Sequence, residues 1–97
     1  MLFRSADLSH CDATGANAHG ASLRRSLLIK SQWAQARMAG VNMAEAIAQR
    51  ADLRGADLSG AQWFGADVSR VRMDATTSLI GLQADRAKVY PRWSPSP

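Results

Sequence analysis

Cysteine is nearly absent from this chain. Cys11 is the only one among 97 residues, so no internal disulfide framework can hold the fold, and the redox compartment stays open. No apolar run approaches the roughly 18 residues of a membrane-spanning helix. The opening MLFRSADLSH lacks the apolar stretch of a secretory signal. These absences predict a soluble, cytoplasmic protein. A catalytic constellation is also missing. There is no phosphate-cradling loop and no dinucleotide fingerprint, and the two histidines, His10 and His19, fall on different faces in the register derived below. His10-Cys11-Asp12 contains metal-ligating residue types, but side chains alternate in direction along an extended segment, so Cys11 turns away from its neighbours and reads as a small buried hydrophobe. The expectation is a protein that is not an enzyme, with no cofactor, no metal and no small-molecule substrate.

What is present is a period of five. An α-helix repeats its faces every 3.6 residues or so and a strand every 2, yet residues 51–70 read ADLRG ADLSG AQWFG ADVSR. With quintets starting at residue 1, the third positions are Phe3, Leu8, Ala13, Ala18, Leu23, Leu28, Trp33, Met38, Met43, Ala48, Leu53, Leu58, Trp63, Val68 and Met73. All are apolar. At 46% hydrophobic composition chance gives this about once in 100,000, so the period marks burial. The first positions are mostly small, with Ala6, Ala16, Ala21, Ala36, Ala46, Ala51, Ala56, Ala61 and Ala66 joined by Cys11, Ser26 and Ser31. The fifth positions hold six of the seven glycines, Gly15, Gly20, Gly40, Gly55, Gly60 and Gly65. Glycine at a fixed phase predicts a corner where the backbone takes positive φ. Each quintet is then one short straight side and a turn, with positions one and three facing inward.

The pattern A-[DN]-L-x-x, seen as ADLSH, ADLRG, ADLSG and ADVSR, resembles the pentapeptide-repeat family. The resemblance implies an all-β solenoid, a right-handed quadrilateral β-helix in which four quintets make one coil. Residues 1–75 supply about four coils, stacked at the ordinary inter-strand spacing of about 4.8 Å. Trp33 stacks between Ala13 and Leu53, a large–small alternation that fills a core. After Met73 the register decays through ATTSLIGL, and QADRAKVY reads as a short helix. Residues 76–93 are therefore expected to form a helical cap using Leu79, Ile80, Leu82, Val89, Tyr90 and Trp93. Pro91 stops any helix, and 94–97 form a disordered tail. At the other end the register begins at the first residue, which leaves nothing to cap coil one. That edge is expected to be covered by a partner, by self-association with a second copy, or by the rest of a longer protein.

Residues twenty apart share a face in this geometry. Two columns, Asp12–Gln32–Asp52–Arg72 and Asn17–Arg37–Asp57, alternate in charge and read as cross-strand pairing. A third face differs. Its corner column is His10, Lys30, Arg50 and Arg70, beside the outward Leu27, Ile29 and Ile47. An apolar patch edged by cations is the appearance of a binding surface. The next face adds Arg4, Arg24 and Arg25, offset by Glu45, with Phe64 outward. The function expected is a non-enzymatic protein-interaction or scaffold module, with an acidic or amphipathic partner. The ADLRGADL-type repeats are also similar to segments of bacterial type VI secretion-associated proteins, which implies an adaptor in a larger assembly. Some members of the family shield DNA gyrase from quinolones by imitating a DNA duplex. That alternative needs a strongly acidic rod, and the net charge here is +4, from twelve Lys/Arg against eight Asp/Glu. Direct nucleic-acid binding through the basic faces would need an exposed aromatic platform, for which Phe64 is the one candidate.

Overall fold

The computed structural model describes residues 6–88. From Asp7 to Asp52, the second residue of each quintet forms a parallel bridge to the residue twenty positions on, as in Asp7 to Leu27 to Ile47 to Asp67 and Ser22 to Asn42 to Gln62. Twenty residues per turn and four quintets per turn give a four-sided coil. We number its faces by their quintets: the first begins at residues 6, 26, 46 and 66, the second at 11, 31, 51 and 71, the third at 16, 36 and 56, and the fourth at 21, 41 and 61.

Following the backbone N–H groups explains the five-residue pattern. In Ala6–His10, Leu8 donates to Leu27 O at 2.7 Å and His10 to Ile29 O at 2.9 Å, both one coil on. The second residue donates backward, as Leu27 does to Ala6 O at 2.8 Å, and the first residue closes the corner behind it, as Cys11 does to Leu8 O at 3.1 Å. The fourth residue has no backbone acceptor in any of these quintets. Its N–H is taken by the side chain two residues earlier: Ser9 donates to Asp7, Thr14 to Asp12, His19 to Asn17, Ala44 to Asn42, Arg54 to Asp52, Ser59 to Asp57 and Ser69 to Asp67, all at 3.0–3.1 Å. Asp or Asn at position two is thus a local cap for an otherwise orphaned donor. Hydrogen bonds from Ser9, Thr14 and Ser59 hold the carboxyls of Asp7, Asp12 and Asp57 below their ordinary range.

Positions one and three line a continuous core. Leu23, Leu28, Trp33, Met38, Met43, Leu53, Leu58, Trp63 and Val68 are buried with the first-position alanines, while Leu8, Ala13 and Met73 pack half-buried at its ends. Cys11 is half-buried against the same core, and burial pushes its thiol pKa up.

The expected C-terminal helix does not form; the described residues contain no helix. Instead the quintet that begins at Val71 carries one extra residue, ending at Thr76, and the pattern resumes as Thr77-Ser78-Leu79-Ile80-Gly81 and Leu82-Gln83-Ala84-Asp85-Arg86. Ser78, Gln83 and Lys88 bridge to Asp57, Gln62 and Asp67, twenty-one residues back. The physical reason lies in the edge of the preceding coil. Its free N–H and C=O groups are a template for another coil: Trp63 N donates to Gln83 O at 2.7 Å and Lys88 N to Ala66 O at 2.7 Å. A helix would leave those groups unpaired. Leu79 and Leu82 pack half-buried against the core, but Ile80 is 77% exposed and caps nothing. Phe3 and Arg4 at one end, and Val89, Tyr90, Pro91, Trp93 and the tail at the other, lie outside the described residues.

Among the described residues, one buried side-chain group is unsatisfied. Trp33 Nε1 donates to Ser31 Oγ at 2.9 Å, and that hydroxyl donates to Leu28 O at 2.6 Å. Trp63 occupies the same position in its quintet, but Ala61 stands where Ser31 would, and Trp63 Nε1 is buried with no partner. A buried N–H left unpaired costs about 1–3 kcal/mol. Ala61→Ser is therefore expected to stabilise the protein by about 1 kcal/mol, and Ser31→Ala to destabilise it by at least as much. Urea unfolding of the two variants beside the parent checks both signs.

Candidate interaction surface

Capping is not uniform, since Ser22, Gln32, Arg37, Gln62 and Arg72 also fill second positions, but on the first face the departures at Leu27 and Ile47 are apolar. The second-position column there runs Asp7, Leu27, Ile47, Asp67, Lys88, joined by consecutive bridges. Asp7 and Asp67 cap their quintets, whereas Leu27 and Ile47 cannot. The N–H of Ile29 turns instead to Ser9 Oγ on the neighbouring coil at 3.3 Å. In exchange, Leu27 and Ile47 stand 37% and 36% exposed, one above the other. Ile29, expected outside with them, is half-buried and adds an edge to the patch more than a face. Asp67, which accepts from Gln49 Nε2 at 2.7 Å, bounds the apolar pair along the axis on one side, and Asp7 bounds it on the other.

Along the adjoining corner lie His10, Lys30, Arg50 and Arg70, all exposed, with φ of 65, 57, 60 and 58°. The diagonally opposite corner has the same backbone geometry and holds Gly20, Gly40, Gly60 and Gly81. Left-handed backbone costs an L-residue about 1–2 kcal/mol relative to the right-handed form, and like charges on adjacent coils add repulsion. The corner that could be glycine throughout is basic throughout.

The two alternating columns do not pair as their sequence suggests. Among the described residues no ion pair joins Arg37 to Asp57 or Asp52 to Arg72. Asp52 is instead clasped by Arg54 of its own quintet, with Nε to Oδ1 at 3.0 Å and Nη2 to Oδ2 at 2.8 Å, which holds its carboxyl below the ordinary range. A further ion pair, Arg25 with Glu45 at 3.4 Å, spans two coils at the fourth-face corner.

Sequence reading passed over one feature. On the fourth face, Arg24, Asn42, Ala44, Glu45, Gln62, Phe64, Gly65, Asp85 and Arg86 line an open groove of about 780 Å³. Asp85 and Arg86 belong to it only because the coil continues past the extra residue. Resuming the quintets one position later would have found them. Among the described residues, no group of three or more His, Cys, Asp or Glu is placed to hold a metal ion, and no helix is long and apolar enough to cross a membrane.

Comparison with known proteins bears on the scaffold. Eight copies of the pattern described as pentapeptide repeats match across residues 2–28, 21–60 and 36–74. Among solved structures, the chain is similar to the pentapeptide repeat protein Rfr23 from the cyanobacterium Cyanothece 51142, at 19% identity and a TM-score of 0.66. That match covers 91% of this chain and 64% of Rfr23, so the chain spans less than two thirds of that relative's length. A pentapeptide repeat protein of the Arabidopsis thaliana thylakoid lumen matches at 27% identity and a TM-score of 0.39, over 88% of this chain and 66% of its own. QnrB1, a plasmid-mediated fluoroquinolone resistance protein, matches at 16% identity and a TM-score of 0.37, over 93% and 62%. No curated protein sequence matches the chain.

Proposed function

The chain belongs to the pentapeptide-repeat family, and from that premise we propose that it is a non-enzymatic interaction module, an adaptor in a larger bacterial assembly of the type VI secretion-associated kind. Its working surface is the first face, and its partner is a protein segment with an apolar edge and acidic side chains. One observation carries this reading: Leu27 and Ile47 are exposed and apolar in slots that hold a capping Asp or Asn in seven quintets and a polar or charged residue in every other described one. Local stability is given up there for a two-residue apolar knob. The cations of Lys30, Arg50 and Arg70 beside it, with His10 at the end of their column, supply the complement to acidic groups, and strained backbone under exposed side chains is characteristic of functional surfaces. Duplex mimicry finds cations on this corner where it would need carboxylates.

The test uses the capping rule itself. Leu27→Asn/Ile47→Asn removes the knob and restores the cap that Asn17 and Asn42 already provide. The variant is expected to unfold at the same or higher temperature than the parent. As baits in affinity capture from the native cell, the parent should recover a partner in stoichiometric amount and the variant at least tenfold less, equivalent to about 1.4 kcal/mol. Equal recovery by both baits rejects the first face as the site.

A further inference from the structure

The groove on the fourth face has a different chemistry from the first. Its lining holds two guanidinium groups, Arg24 and Arg86, and two carboxylates, Asp85 and Glu45, the latter also paired with Arg25. Asn42 and Gln62 line it one coil apart, in a column of uncharged polar residues that parallel bridges extend to Ser22 and Gln83. The Asn42 Oδ1 accepts from the N–H of Ala44, which leaves its NH₂ outward as a donor. No hydrogen bond or ion pair within the described residues engages the side chains of Gln62, Arg24, Asp85 or Arg86. Phe64 stands 37% exposed at the groove wall.

We propose that this groove binds a neutral oligosaccharide. A sugar hydroxyl both donates and accepts a hydrogen bond, and so do the paired groups offered here: carboxamides with donor and acceptor on one rigid plane, flanked by guanidinium donors and carboxylate acceptors. Phe64 supplies the flat apolar surface against which the C–H face of a pyranose ring packs. The other candidate classes fit less well. Nucleic acid and phosphate ligands require an excess of cations, whereas this lining holds as many carboxylates as guanidinium groups. An extended peptide presents groups to one side every second residue, about 6.8 Å apart, whereas the amides repeat at the inter-coil spacing of about 4.8 Å. A lipid surface would need more apolar area than a single ring.

The test is a titration of the full ¹⁵N-labelled chain, followed by NMR, with cellohexaose, chitohexaose, maltohexaose and laminarihexaose as neutral probes and hexagalacturonate as the anionic one. At least one neutral probe is expected to bind with a Kd below about 1 mM. It should shift the side-chain NH₂ signals of Asn42 and Gln62 and the backbone signals of 42–45, 62–65 and 85–86. Phe64→Ala and Gln62→Ala, both at solvent-facing positions, should each weaken it tenfold or more, and Leu27→Asn/Ile47→Asn should leave it unchanged. Three results overturn the proposal: no saturable shift with any neutral probe, tighter binding of the anionic one, or binding that survives both groove substitutions. Because the first-face variant is a separate arm, loss of the sugar site and loss of the adaptor surface are read independently.

Discussion

Leu53→Glu is expected to leave no folded protein at 25 °C, while Leu27→Glu, on the same kind of short side, is expected to fold normally. Leu53 is a third-position residue, 1% exposed, in the middle of the stack. Removing a buried Leu side chain costs about 2–5 kcal/mol, and a carboxyl in its place finds no partner among the apolar side chains around it, adding about 2–7 kcal/mol even if it enters protonated. A single domain has about 5–15 kcal/mol in total, and a chain this short lies at the low end. A solenoid also has no alternative core to fall back on. Each coil rests only on its neighbours, so loss of the coil that contains Leu53 separates the coils before it from those after it. Leu27 differs by one position and by everything that follows from it: its side chain faces outward and is 37% exposed, so the carboxylate of a glutamate there reaches water. Far-UV circular dichroism and urea unfolding distinguish the two outcomes. A β-type spectrum with a cooperative transition for Leu53→Glu would mean that the third position is not the core.

The sequence made that core legible because its period is incompatible with any other regular structure. Leu23, Leu28, Trp33 and Met38 recur every five residues and are all buried, as the register requires. The physical origin of the Asp and Asn residues was less accessible. Their recurrence at position two is plain in the sequence, but only the backbone shows that the fourth N–H is the one donor with no acceptor. The meaning of Leu27 and Ile47 as departures from that rule rests on the same geometry. The C-terminal segment was misread for a definable reason. One added residue at 71–76 shifts the phase, and a fixed frame then assigns Leu79 and Leu82 to the wrong positions, leaving Gln83–Lys88 to be judged by helical propensity alone. Propensity is a weak guide where an open sheet edge offers a ladder of backbone partners. Ion pairing was misjudged for a related reason: columns give which residues share a face, but the capping geometry brings Arg54 to Asp52 within one quintet.

The extra residue should leave a gap in the ladder, and the way it is closed gives the second large effect. In the regular coils the fifth residue of the second face donates forward, as Gly15 does to Ala34 O and Gln35 to Arg54 O. Gly55 has no such backbone acceptor. Its N–H is held instead by two side chains, Asp74 Oδ1 at 3.2 Å and Thr77 Oγ1 at 3.2 Å. Thr77, buried at a first position, also donates to Leu53 O at 2.9 Å and accepts from the N–H of Asp74 at 3.2 Å, while Asp74 caps Thr76 N at 3.0 Å. The same contacts, led by the Thr76 hydroxyl, keep the Asp74 carboxyl ionised below the ordinary range. Either residue alone can satisfy Gly55, so Asp74→Ala and Thr77→Val are each expected to cost about 1–2 kcal/mol. Together they leave Gly55 with no acceptor at all. The double variant should therefore lose about 1 kcal/mol or more beyond the sum of the singles. A double-mutant cycle in urea measures that coupling, and hydrogen exchange at Gly60 and Trp63, whose N–H groups bond to Ile80 and Gln83, reports whether the coil beyond the insertion has detached. Strict additivity, with protection at Gly60 and Trp63 unchanged, would show that the two side chains do not share the task of joining the displaced register to the coil before it.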